Sequence, residues 1–124
     1  MNENLNLTAN IPNGTIASTS DIRGIVYNRL GLAVDSHEVV ADDGYSDFDL
    51  RVWVDRKTNT FVQVTDRFAD DDEWHEEHPV SVSWELRRIS AGEPARSDRS
   101  ESLGHEGSAV LLVDALNAIA ELAA

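Results

Sequence analysis

The sequence predicts an α+β fold: an antiparallel sheet of about four strands with two helices packed on one face. Two observations lead there. Phe48, Leu50, Val52 and Val54 alternate with Asp49, Arg51 and Trp53, and a second alternating run follows one short polar turn later. Apolar residues at helical spacing then appear near both ends of the chain. A sheet with one apolar face needs a cover, and two amphipathic helices supply it.

Taken in order, Leu5, Leu7, Ala9 and Ile11 alternate with Asn6, Thr8 and Asn10, the period of a half-buried strand, and Pro12-Asn13-Gly14 breaks it. Ser20 is a candidate cap for a helix carrying Ile22, Ile25, Val26 and Leu30, with Gly31 as its stop. Gly24 inside it costs about 1 kcal/mol relative to Ala. A short strand is expected over 38–41. The hairpin follows, turning at Asp55-Arg56-Lys57-Thr58-Asn59. Pairing Leu50 with Val64 and Val52 with Val62 matches apolar residues on one face, and sets Trp53 opposite Phe61 and Arg51 opposite Gln63 on the other. A further strand is expected over 80–89, with Val80, Val82, Trp84 and Leu86 inward. Residues 90–107 are rich in Ser, Gly, Glu and Arg and hold a single large apolar residue, Leu103, so they read as a flexible or functional loop. Ser108 then caps a helix whose buried stripe is Leu112, Leu116, Ile119 and Ala123.

The chain of 124 residues fits a single domain spanning 1–124. With no cysteine, disulfides, thiolate metal sites and cysteine nucleophiles are excluded. A formal charge of −13 argues against direct binding to nucleic acid or to an anionic membrane, because both require a basic face. No run is apolar enough for a membrane span and the N-terminus has no signal-peptide pattern, so a cytoplasmic location is expected.

The charge is unevenly distributed. Residues 35–49 carry six acids and no base; residues 66–78 carry seven acids against Arg67. These 28 residues hold −12 of the −13. Both stretches flank the hairpin and are expected to meet at the end away from Arg56 and Lys57, roughly 23 Å distant for a seven-residue strand. Like charges so placed repel, and nothing in the local sequence offsets that cost. The plainer accounts are a solvated surface that keeps the protein soluble, or salt adaptation, although the latter would spread acids over all faces.

Asp70-Asp71-Asp72-Glu73-Trp74-His75-Glu76-Glu77-His78 offers carboxylates and imidazoles that suit a divalent cation. However, His75 and His78 are three apart, not the four of the helical zinc-protease pattern, and Asp42-Asp43-Gly44-Tyr45-Ser46-Asp47 fails the EF-hand spacing. Neither His37 beside Glu38 nor His105 between Gly104 and Glu106 defines a triad, and there is no phosphate-cradling loop or nucleophile elbow. No catalytic residue, cofactor or metal is assigned.

The expectation is a small, acidic, non-enzymatic binding module or inhibitor. Its partner surface would be Asp42, Asp43, Asp47, Asp70, Asp71, Asp72, Glu73, Trp74, Glu76 and Glu77. Carboxylates there would stand in for phosphates on a basic, nucleic-acid-handling protein, as in anti-defence or immunity-type inhibitors. Trp74 reads either as an aromatic anchor or as a residue docked in the core, and Trp53 with Phe61 either as a pair covered by the N-terminal segment or the long loop or as an exposed anchor pair. The alternatives are a divalent-metal-binding protein or metal-dependent enzyme built on His75 and His78, and a structural subunit of an assembly.

Overall fold

A computed structural model describes residues 7–40, 46–67, 81–94 and 99–124. Five antiparallel strands lie side by side in chain order: β1 (Val34–Val40), β2 (Ser46–Asp55), β3 (Thr60–Arg67), β4 (Ser81–Arg88) and β5 (Glu101–Ala109). Helix α1 (Thr19–Ile25), prolonged by a π-helical stretch over Val26–Leu30, precedes the sheet, and α2 (Leu112–Ala123) follows it. The architecture is α+β as expected, with five strands rather than four.

The hairpin has the register that its alternation dictates. Leu50 pairs with Val64, Arg51 with Gln63, Val52 with Val62 and Trp53 with Phe61. Leu50, Val52, Val62, Val64 and Val82 bury one face of the sheet against Ile22 and Val26 of the first helical segment and Leu112, Ala115, Leu116 and Ile119 of α2. Trp84 and Leu86 pack on the same core as partly buried neighbours. Both helices thus cover one face, which removes the apolar side of every central strand from water.

Several expectations are corrected. Residues 7–10 form turns, not a strand, and 1–6 lie outside the described residues. The carbonyls of Leu7 and Ala9 accept hydrogen bonds from Arg29 Nη1 at 2.8 and 2.7 Å, so a guanidinium takes the place of a ladder partner. Leu7 is buried nonetheless. The cap of α1 is Ser18, not Ser20: its Oγ accepts from the Asp21 amide at 3.2 Å. Gly31 does end the helical segment, at φ +68°. The strand expected over 38–41 starts earlier, at Val34.

The largest correction concerns 90–107. Residues 90–94 and 99–100 are neither helix nor strand and 95–98 lie outside the described residues, but from Glu101 onward the chain is an edge strand paired to β4. Ser108 lies in that strand opposite Ser83, so the cap position of α2 falls to Leu111. Gly107 explains part of the unusual composition. A Cβ there would come within 2.8 Å of the Trp84 ring, so glycine lets the indole lie across the edge strand.

Trp53 and Phe61 are covered rather than presented as an exposed pair. Their rings meet at 5.2 Å between centroids, and with Ile89 they form a second small core on the opposite face of the sheet. The Arg51 guanidinium lies 4.6 Å from the Phe61 centroid and that of Arg56 4.4 Å from the Trp53 centroid. Trp53 Nε1 donates to Asp35 at 2.7 Å, which satisfies its single polar atom.

Candidate functional site

Strand register fixes where the acidic connections begin and end. Val40 at the end of β1 pairs with Ser46 at the start of β2, and Arg67 at the end of β3 pairs with Ser81 at the start of β4. Because β2 and β3 are antiparallel neighbours, all four of these positions lie at one end of the sheet. The connection 41–45 carries Asp42 and Asp43; the connection 68–80 carries six carboxylates and no Lys or Arg. Asp42, Asp43, Asp70, Asp71, Asp72, Glu73, Trp74, Glu76 and Glu77 lie outside the described residues, as do His75 and His78. Asp47 is described in its backbone, opposite Val39.

Both helices begin at that same end. The Thr19 amide and hydroxyl, at the start of α1, each donate to the Asp66 carboxylate at 2.9 Å, one residue before β3 ends. Leu112 opens α2 shortly after Ala109, which pairs with Val82 next to the start of β4. Helix N-termini carry partial positive charge. The fold therefore gives Asp66 a local compensation that the sequence pattern did not reveal.

The opposite end holds the Arg56-Lys57 turn. A ten-residue β2 at about 3.3 Å per residue separates the two ends by roughly 30 Å, further than the seven-residue estimate. Not every acid of the two stretches belongs to the first end. Asp35 sits by the turn, 3.7 Å from Arg56 Nη1. Asp49, only 5% exposed, accepts from Gln63 Nε2 at 2.5 Å on the sheet face away from the helices. Asp66 is engaged with α1. These three are fold-building carboxylates, and the −12 does not gather at one pole as a whole.

The face away from the helices carries a polar row across all five strands: Asp35, Arg51, Gln63, Glu85 and Glu106 are successive cross-strand partners. Arg51 is 2% exposed. Beside this row lies a hollow of about 520 Å³ lined by Gln63, Thr65, Ser83, Glu85, Glu106 and Ser108 together with Trp84 and Gly107. Burial works to raise the pKa of Glu85, but hydrogen bonds with Ser102, Arg87 and Glu106 and the charge of Arg87 outweigh it and hold the carboxyl below its ordinary value. Arg87 itself is tied down, donating to Glu85 and, at 2.7 and 2.8 Å, to the hydroxyl and carbonyl of Ser100. The hollow is rich in acceptors and suits hydrogen-bond donors. Among the described residues no cluster of three or more His, Asp or Glu side chains is arranged to hold a metal ion. No described helix is long and apolar enough to cross a membrane.

No protein-family model matches the chain, and neither the curated proteins nor the solved structures yield a match.

Proposed function

We propose that the protein is a non-enzymatic binding module whose two carboxylate-rich connections dock together on a basic surface of a nucleic-acid-handling protein. The observation that carries this reading is the register: connections 41–45 and 68–80 both depart from the end of the sheet defined by Val40, Ser46, Arg67 and Ser81. The sequence puts eight carboxylates in two connections whose end points share one end of a five-stranded sheet, which supports reading them as one anionic surface. A groove lined with Arg and Lys to grip phosphates would accept it, and long-range attraction would speed the encounter. An inhibitor that occupies a nuclease or a DNA-binding protein in this way is the functional class these features favour, with a cytoplasmic site of action.

The test is capture from a cell extract on immobilised protein at low and high salt, with duplex DNA as competitor. Nucleic-acid-binding proteins released by both salt and DNA support the reading. Retention of the same proteins by a variant with Asp42, Asp43, Asp70, Asp71, Asp72 and Glu73 changed to their amides overturns it.

A further inference from the structure

We propose that the hollow on the sheet face away from the helices binds a small polyhydroxylated organic cation, an amino sugar being the simplest example. The site is separate from the acidic connections, since every residue that lines it lies on β3, β4 or β5. Strand register builds it as a grid. Gln63, Glu85 and Glu106 are cross-strand partners in one row, and Thr65, Ser83 and Ser108 are partners in a second row two residues along. Alternation puts all six side chains on one face, because the intervening Val64 and Trp84 pack toward the helix-covered core. Strands lie about 4.8 Å apart and the two rows roughly 7 Å apart, the scale of a single sugar ring. The volume of about 520 Å³ falls within the roughly 300–1,000 Å³ of small-molecule sites and exceeds what a bare ion fills.

The lining groups are held in place before any ligand arrives. Gln63 commits its Nε2 to Asp49, which is 5% exposed, and so keeps its Oε1 as an acceptor. Glu85 is fixed by hydrogen bonds with Ser102 and Arg87, and Arg87 is fixed in turn by the hydroxyl and carbonyl of Ser100. Acceptors already ordered lose little freedom on binding. The hydroxyls of Thr65, Ser83 and Ser108 both donate and accept, which matches the hydroxyls of a polyol.

Charge selects the occupant. Glu85 and Glu106 stand directly opposite each other on β4 and β5, a like-charge pair that costs stability. Arg87 answers one of the two, and among the described residues no Lys, Arg or His lines the hollow. An anion would meet two carboxylates there. An apolar molecule would strip water from six polar side chains and return no hydrogen bonds. An ammonium group relieves the carboxylate pair through charge-assisted bonds, while ring hydroxyls lie over the Thr65-Ser83-Ser108 row. A metal ion would find only two carboxylates, and the described residues hold no cluster of three His, Asp or Glu arranged for one.

The experiment titrates nitrogen-15-labelled protein with glucosamine, glucose, glucuronate, cyclohexylamine and calcium chloride, and reads backbone amide shifts by NMR. Mildly acidic pH keeps the amines protonated and the carboxylates ionised. Glucosamine should shift the amides of Thr65, Ser83, Glu85 and Ser108 saturably, with an affinity at least about tenfold above that of glucose. Glucuronate, cyclohexylamine and calcium should leave those amides in place. Glu106→Gln, at an exposed edge position, should weaken glucosamine about tenfold, and Ser83→Ala/Ser108→Ala should weaken it severalfold. Unchanged amide spectra elsewhere show that both variants keep the fold. Equal binding of glucose overturns the cation, and equal binding of cyclohexylamine overturns the hydroxyl row. Calcium that saturates the same amides and displaces glucosamine overturns the organic ligand. No saturable shift with glucosamine, or shifts confined to residues outside the grid, overturns the site.

Discussion

Replacing Asp66 separates carboxylates that build the fold from those proposed to bind. Its two oxygens each accept one bond from Thr19, from the amide and from the hydroxyl, both at 2.9 Å. Bonds to a charged acceptor contribute about 1.5–3 kcal/mol each when desolvated, and a carboxylate near a helix N-terminus adds about 0.3–1 kcal/mol. Because this site is only partly buried, Thr19 can turn to water after the change, so the low end applies and Asp66→Ala should cost about 3.3 kcal/mol in total. Unfolding entropy of roughly 2.1 cal/mol/K per residue over 124 residues converts this to a fall in Tm of about 13 °C. Asp66→Asn keeps one acceptor and should lose about half as much. Asp71→Asn, from the same acidic stretch, should leave stability unchanged or slightly raise it at low salt as repulsion falls. Urea denaturation at neutral pH reads all three. A loss below about 0.5 kcal/mol for Asp66→Ala, or equal losses for Ala and Asn, would refute the helix-docking role.

Two further outcomes are expected. Glu85 has its folded pKa depressed, so its ionised form stabilises the protein above the ordinary value of 4.5, and that contribution is lost as pH falls below it. Glu85→Gln should therefore flatten the decline of the urea midpoint between about pH 5 and pH 3, and an unchanged acid limb would count against the Arg87 and Ser102 contacts. Gly107→Ala forces a methyl against the Trp84 ring and should cost about 1–3 kcal/mol, with partial recovery in Gly107→Ala/Trp84→Leu; no loss would mean that the indole does not cross the edge strand.

The hairpin was legible to the residue pair because apolar and polar positions alternate on both strands, and a one-residue slip would put Leu50, Val52, Val62 and Val64 on the wrong face. The C-terminal helix was plain in its stripe of Leu112, Leu116 and Ile119 but not in where it starts. The N-terminal alternation misled because period two says nothing about what accepts or donates to the backbone, and here Arg29 claims the carbonyls. Strand β5 was hidden because an edge strand needs little apolar content. It is held instead by pairing to β4, the Arg88–Glu101 ion pair at 2.9 Å, and the seat that Gly107 provides for Trp84. Charge counting along the chain located the acidic connections but could not tell Asp35, Asp49 and Asp66, which the fold uses, from their neighbours.

The central claim is that two separate connections act as one surface toward a cationic partner. Its most direct measurement is the slope of log affinity against log salt for an Arg-rich peptide. Four proteins are compared: wild type, Asp42→Asn/Asp43→Asn, a variant amidated at Asp70, Asp71, Asp72 and Glu73, and the combination. The account predicts that each set alone makes the slope shallower and that the combination makes it shallower still, with duplex DNA unable to bind any of them. A slope that responds to only one connection, or to neither, would contradict it.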